Sequence, residues 1–334
     1  MTVAATAPPA ASSTLYRLSD GRWHRIEIVF WLLPLAAFFV LPGYLVLGSQ
    51  ILIVSLFALS LDLILGYAGI VSLGHAAFFG IGAYAAGLLA VHGWGEPLSG
   101  LLLAGAAAAA TGYLVSFLVV RGEDLARLMV TLGIGLLLYE AANKAAFITG
   151  GVDGLSGVTM WKLLGVFAFD LGGKVAYLYS LAVLIVLFVL MRRLVNSPFG
   201  LSLRGLREGG KRMPAIGVPV RRRQILIFTI AAAVAGIAGG LLAQTTQFVG
   251  LEVLGFPRSA ELLIMLVLGG AGRLYGALIG AALFMVAQEV LSGINPVYWQ
   301  FWIGLLLVVA VLFARGGIMG AAEALYMRLR RKGK

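Results

Sequence analysis

Ten apolar runs follow one another along this chain, at about 28–47, 49–66, 70–91, 98–120, 127–148, 174–195, 224–247, 257–270, 273–292 and 298–314. A hydrocarbon core takes roughly 20 apolar residues per helix. Backbone that crosses it must satisfy its own hydrogen bonds, which a helix does within one segment. The runs therefore predict an all-α, polytopic transmembrane fold of about ten spans. A soluble surface is out of reach, because 61% of the 334 residues are hydrophobic and only 12% are charged, against about 25% charged in an ordinary soluble domain. Run 257–270 is short and broken by Gly269, Gly270 and Gly272, and the turn at Gly66 and Gly69 is equally tight. Eight spans with two broken helices is thus the competing count.

The net charge of +11 is distributed as a topology signal rather than as a nucleic-acid surface. Of the 25 Lys and Arg, 21 fall in the segment before the first run, in 121–127, in 192–223, at Arg273 and Arg315, and from Arg328 onward. Only Lys144, Lys162, Lys174 and Arg258 lie elsewhere. Basic connections mark the cytoplasmic side. The expected organisation is a disordered cytoplasmic tail over 1–25, a membrane domain over 26–316 and a basic cytoplasmic tail over 317–334. Loop 196–223 is then inside and loop 149–173 outside. The first run is too long for a signal-peptide core and reads as a retained helix. There is no Cys, so thiol chemistry and disulfides are excluded. Neither a phosphate-binding G-x-x-x-x-G-K-[ST] loop nor an H-E-x-x-H or G-x-S-x-G pattern occurs. The chain cannot hydrolyse ATP by itself and reads as a non-enzyme.

Residues 61–87 carry the most functional information. They are apolar enough for a bilayer, yet rich in Gly and Ala, and they hold one acid, Asp62, and one His, His75. Small residues at this density serve helices that pack backbone to backbone or line a passage, and an intramembrane acid faces protein or water. The chain is thus expected to move something across a membrane. Asp62, Ser72, His75, Gly80 and Gly82 are candidates for a translocation path or for close packing. His75 has no ligand partners at metal spacing and reads as a structural hydrogen-bonding residue. Gly272, Gly276 and Gly280 repeat every fourth residue and predict a smooth packing face. Glu140 and Lys144 have the spacing of a helical ion pair. Gly150, Gly151, Asp153 and Gly154 predict a tight outer turn.

Loop 196–223 places Leu201, Leu203, Leu206 and Ile216 against Arg204, Arg207 and Arg212. Such an amphipathic piece docks in a partner's groove or rests on anionic lipid heads.

Several motifs resemble those of the branched-chain amino acid ABC permeases, the LivM type. Gly66-Tyr67, Gly69 and the run from Ser72 through Leu73, Gly74, His75, Ala76, Ala77 and Phe78 to Gly80-Ile81-Gly82-Ala83-Tyr84 look like the family signature. Gly150-Gly151-Val152-Asp153-Gly154-Leu155, Ser197-Pro198-Phe199-Gly200, Arg204 with Arg207-Glu208, and Leu268-Gly269-Gly270-Ala271-Gly272 are similar to the LivM branch. The resemblance covers about residues 28–316. Asp62 stands where the family often has Asn and Ile70 where it often has Gln, while Gly209 through Pro214 interrupt the coupling loop.

The resemblance implies a permease subunit of an ATP-driven importer for branched-chain or related amino acids, multi-pass in a bacterial inner membrane with both termini cytoplasmic. It implies a second permease of the same family, two cytoplasmic ATPases carrying ATP and Mg, and a periplasmic or lipid-anchored binding protein. This chain itself holds no cofactor or metal, and its partners include membrane lipid but no nucleic acid. Arg204, Arg207, Glu208 and Gly217 are implied in coupling to the ATPase. The alternatives are a permease of the same family for urea, short amides or aromatic acids, and an ion-coupled secondary carrier using Asp62 or Glu140.

The charge asymmetry yields a direct test of orientation. Single Cys residues introduced at Ser156 and Ser202 are exposed to an impermeant thiol reagent in intact cells. Ser156→Cys is expected to label and Ser202→Cys to label only after permeabilisation; the reverse pattern inverts the topology.

Overall fold

The protein, as a computed structural model, is described over residues 25–122, 124–170, 172–210, 212–313 and 317–320. Each of the ten apolar runs contains a helix there. The helices are α1 (Arg25–Val40), α2 (Leu45–Asp62), α3 (Ala76–Val91), α4 (Pro97–Val119), α5 (Asp124–Lys144), α6 (Ala146–Thr149), α7 (Lys174–Val195), α8 (Pro198–Gly209), α9 (Val220–Thr246), α10 (Phe256–Gly269), α11 (Leu274–Ile294) and α12 (Trp299–Phe313). Among the described residues, six helices are long and apolar enough to cross a membrane: α2 with its extensions, α4, α5, α7, α9 and α11. The chain is an all-α, polytopic membrane protein. The count of six, against the ten expected, has a local cause. Residues 68–75 of the run 70–91 are not helical, leaving α3 with 16 residues, and α10 has 14. At 1.5 Å per residue, α10 spans only about 21 Å. The expected tails fall outside the described residues, apart from Arg25 and 317–320.

Two buried helices organise the rest. From Leu52 onward every residue of α2 is buried. α9 buries Phe228, Ala231, Ala232, Ala235, Ala238 and Gly239 among others. α3 and α4 pack on α9 to make one layer, while α7, α10 and α11 pack around α2. The first layer is drawn together by small residues. Gly82 lies directly on the Gly236 backbone, and Gly239 on the carbonyl of Phe79. Ala104 and Ala108 of α4 meet Gly236 from the other side. Without a hydrophobic drive between helices in lipid, such close backbone approach supplies the dispersion contact that holds them. The second layer uses the same device. A Cβ at Gly276 would fall 2.7 Å from Gly270 O and 3.0 Å from Gly269 O. The expected packing face therefore exists over Gly276 and Gly280, but Gly272 precedes α11 and sits in the turn before it.

Polar fastenings close the bundle at both ends. Arg192 of α7 holds Glu27 of α1 with two hydrogen bonds, of 2.5 and 3.2 Å. The Tyr177 hydroxyl donates to Pro34 O at 2.7 Å. At the other end, the turn Gly150–Gly154 uses positive φ at Gly150, Gly151 and Gly154, and Leu155 then pairs with Val249. Glu140 and Lys144 do not form the expected ion pair; the pairs among the described residues are Arg192–Glu27 and Arg258–Glu261. Both members of the expected pair are exposed, and an exposed pair gains little against side-chain entropy.

Gly276→Leu and Gly82→Leu force a branched side chain into a neighbouring backbone, an overpacking that costs about 1–3 kcal/mol or more. Both variants are expected to lose most of the monodisperse protein recovered in detergent. Gly133→Leu, with nothing within 4 Å of the added Cβ, is expected to match the parent chain; equal recovery of all three contradicts the packing.

Candidate functional site

α2 does not simply end at Asp62. It widens into a π turn over Leu63–Tyr67, and the Ile70 N–H closes back on Ile64 O at 2.8 Å. Gly69, with φ +71°, then reverses the chain into the extended segment that leads to α3. A helix end leaves carbonyls and amides without partners inside the helix. Here two distant segments supply them.

The first is the turn between α10 and α11. Its Gly272 N–H donates to Asp62 Oδ1 at 2.6 Å. Asp62 is fully buried, and this bond answers the expectation that an acid at this depth faces protein. Gly66, one turn on from Asp62, has no room for a side chain: a Cβ there would strike both Asp62 Oδ1 and Gly272 N. Asp62 and Gly66 thus belong together as an acceptor and the gap that admits its donor.

The second segment is α8. Ser197 caps it, accepting from Gly200 N–H at 3.4 Å, and Pro198 occupies its first turn, so the Ser-Pro-Phe-Gly sequence is a helix start with a physical mechanism. Gly200 lies against the Val195 carbonyl, which permits the sharp turn out of α7. Leu203 and Leu206 are buried while Arg207 and Glu208 are exposed. Two arginines on α8 grip the end of α2. The Arg207 guanidinium donates to Gly66 O. The Arg204 guanidinium lies 5.5 Å from the centroid of the Tyr67 ring, a cation–π contact. On the far side of the loop, Arg223 of α9 sits 5.0 Å from the Phe199 ring centroid and ties α9 to α8.

The expected site residues therefore separate into groups. Asp62, Arg204 and Arg207 meet at one joint. Glu208 is exposed on the same helix. Gly217, with φ +80°, closes the 3-10 turn Met213–Ile216 ahead of α9. Ser72 and His75 are buried in the segment before α3. The Ser60 hydroxyl lies 2.6 Å from Phe57 O and 2.8 Å from His75 Nε2. The imidazole stacks on Phe57, 5.7 Å between centroids and 8° between planes. Gly80 faces Leu254, and Gly82 faces Gly236.

Three partners escaped the sequence reading: the Gly272 amide, Thr131 and Ser259. Thr131 Oγ1 accepts from Leu73 N–H at 3.2 Å, and Ser259 Oγ accepts from Ala76 N–H at 2.9 Å. These bonds fix the segment 68–75 to α5 and α10. No local pattern announces them, since each partner lies tens to hundreds of residues away.

Comparison with known proteins fits this geometry. Residues 44–311 match the family model described as branched-chain amino acid transport system / permease component. The chain is 32% identical to the high-affinity branched-chain amino acid transport system permease protein LivM of Escherichia coli, over 84% of this chain and 71% of that protein. It is 26% identical to the corresponding permease protein BraD of Pseudomonas aeruginosa, over 80% of this chain and 92% of that one. It is also 30% identical to the L-arabinose ABC transporter permease protein AraH of Azospirillum brasilense, over 58% of this chain and 59% of that one. No solved structure gives a significant match.

Removing the Asp62 carboxylate leaves the part-buried Gly272 amide without its acceptor, a loss of about 0.5–1.5 kcal/mol. Asp62→Ala is expected to lower the thermal midpoint of the purified chain, and Asp62→Asn, which keeps an acceptor oxygen, to restore most of it. Identical midpoints for Asp62→Ala and the parent chain contradict the joint.

Proposed function

This chain belongs to the branched-chain amino acid transport system permease component family, and on that premise we propose that it carries a branched-chain or related amino acid inward as one of two permeases in an ATP-driven importer. The partner permease is of the same family. Two ATPase subunits, binding ATP and Mg, dock at the cytoplasmic face, and a binding protein delivers substrate from outside. The protein sits in a bacterial inner membrane with both termini cytoplasmic.

One observation carries the coupling step: the bond from Arg207 on α8 to the Gly66 carbonyl at the end of α2. α8 is an amphipathic helix with Arg207 and Glu208 exposed, suited to helix-in-groove docking on an ATPase. When the ATPases close on ATP, a docked α8 moves with them. Its displacement reaches α2 through Arg207–Gly66 and Arg204–Tyr67. From Asp62 it reaches the α10–α11 turn through the Gly272 amide. A push at one surface helix is thus delivered to the buried helix of the second layer and to α10 and α11 together. Asp62 acts here as a mechanical acceptor. In the rival secondary-carrier reading it is the ion-binding group.

Substrate choice rests on the relatives. Relatives matched over four fifths of the chain or more are named for branched-chain amino acids, while a shorter match is named for L-arabinose. Delivery by a binding protein places most of the selectivity outside this chain, so a permease of this family for urea, a short amide or an aromatic acid remains the alternative cargo. Titration of the cognate binding protein with leucine, isoleucine, valine, urea and phenylalanine separates them.

The double variant Arg207→Ala/Glu208→Ala tests the coupling. Reconstituted with the partner permease, ATPases and binding protein, it is expected to insert normally. Its substrate-stimulated ATP hydrolysis is expected to fall about tenfold or more, the equivalent of ~1.4 kcal/mol. Full stimulation removes α8 from the coupling path. Concentration of an amino acid by the purified chain alone, under a proton or sodium gradient, replaces the importer with a secondary carrier.

A further inference from the structure

The cytoplasmic end of the bundle contains a groove of about 810 Å³ between the end of α4, the start of α5, α8 and the start of α9. Four of its described lining residues are arginines, Arg121, Arg127, Arg207 and Arg221. They come from four different elements, so the fold and not a run of sequence assembles them. Arg207 spends part of its guanidinium on Gly66 O. Arg127 Nε is buried with no hydrogen-bond partner. Such a donor lacks the partner that buried polar groups ordinarily have. The N-terminus of α9 also ends here and brings partial positive charge. Arg221, Arg222 and Arg223 occupy the first turn of α9, where the helix dipole disfavours cations. Like charges on four elements and an adverse dipole converge on a space that an anion would neutralise.

A second groove shows what kind of anion. It has a volume of about 550 Å³, is lined by Tyr113 and Phe117 of α4 and by Ile225 and Leu226 of α9, and shares Val220 and Arg221 with the basic groove. Arg221 and its neighbours thus divide a cationic space from an apolar one at the level where α4 leaves the membrane and α9 enters it. A free phosphate or a nucleotide uses only the first space. An acidic protein segment has no use for a lipid-level cleft lined by Tyr113 and Phe117.

We propose that these joined grooves bind an anionic phospholipid, its phosphate headgroup among Arg121, Arg127 and Arg221 and an acyl chain along Tyr113 and Phe117. The bound headgroup lies beside Arg207 and braces α8 against α4 and α9. It is a lipid site at the coupling joint, distinct from the diffuse attraction of basic loops to a charged membrane, because it depends on three arginines brought together by the fold.

The full-length chain in a mild neutral detergent is examined by native mass spectrometry after addition of phosphatidylglycerol or phosphatidylcholine of equal acyl length. Phosphatidylglycerol is expected to be retained as a stoichiometric adduct, well above phosphatidylcholine. Each arginine replaced is expected to weaken retention about fivefold, the equivalent of about 1 kcal/mol per basic residue at an anionic headgroup. Arg121→Gln/Arg127→Gln should then bring phosphatidylglycerol to the phosphatidylcholine level, with an unchanged thermal midpoint showing that the variant folds. Tyr113→Ala/Phe117→Ala is expected to weaken both lipids alike. Equal retention of the two lipids by the parent chain overturns the proposal, as does full retention by the folded arginine variant. Displacement of the lipid by millimolar inorganic phosphate assigns the site to free phosphate, and loss of ATPase co-purification from the arginine variant with lipid retention intact assigns it to protein docking; either result also overturns it. The lipid-retention comparisons need no ATPase and no transport, so their outcome is independent of the coupling reading.

Discussion

The hydrogen bond from the Gly272 amide to Asp62 joins parts of the chain 210 residues apart, and the arrangement of this end of the bundle depends on it. In a medium without water, an unpaired amide and an unpaired carboxylate are each costly. The bond gives the Gly272 amide and Asp62 Oδ1 partners, while Asp62 Oδ2 stays buried without one. The bond forms because Gly66 lacks a side chain and the widened turn after α2 lets the α10–α11 turn approach. The same widened turn presents the Gly66 carbonyl outward, where Arg207 takes it. One helix end thus collects the second layer on one side and the surface helix α8 on the other.

The rest of the molecule is stiff by comparison. α3, α4 and α9 meet through Gly82, Gly236, Gly239 and Ala104, backbone on backbone, and a contact of that kind transmits displacement with little slack. The extended segment 68–75 lies between the two layers. His75 is locked to Ser60, Leu73 to Thr131 and Ala76 to Ser259. The Gly-rich signature therefore serves in large part as a bracket. Its residues fix how α2, α3, α5 and α10 stand relative to one another, which is the geometry that the proposed alternating access between two permeases has to change.

The sequence disclosed this unevenly, for physical reasons. Helical class and approximate helix positions were legible because hydrophobic length is a local property. The start of α8 was legible because Ser197 and Pro198 act over four residues. Asp62 was singled out because an acid in an apolar run demands a partner, yet the identity of that partner was not legible: Gly272 is joined to it by tertiary packing alone. The Gly272/Gly276/Gly280 repeat suggested one helix face, whereas the structure ends the face at Gly276 and uses Gly272, at φ +84°, for a turn. The helical spacing of Glu140 and Lys144 suggested an ion pair that is not formed. Spacing permits such a contact, but exposure leaves it too weak to be held.

Basic residues carry two meanings that a count along the chain cannot separate. Arg121, Arg127 and Arg221 each stand at the end of an apolar run, and each alone is explained by orientation in the membrane. That rule needs positive charge on a connection. It sets no requirement that charges from separate connections converge. Their convergence has a cost, because a cation in the first turn of a helix is opposed by about 0.3–1 kcal/mol, and α9 begins with three. Shifting those arginines a few residues toward the preceding loop would keep the topological signal and remove much of the penalty. What the shift would lose is the shared wall at Val220 and Arg221 between a cationic groove and an apolar one. The placement is therefore better accounted for by an amphiphilic anion than by orientation alone, and it puts lipid composition within reach of the helix that the proposed motor would grip.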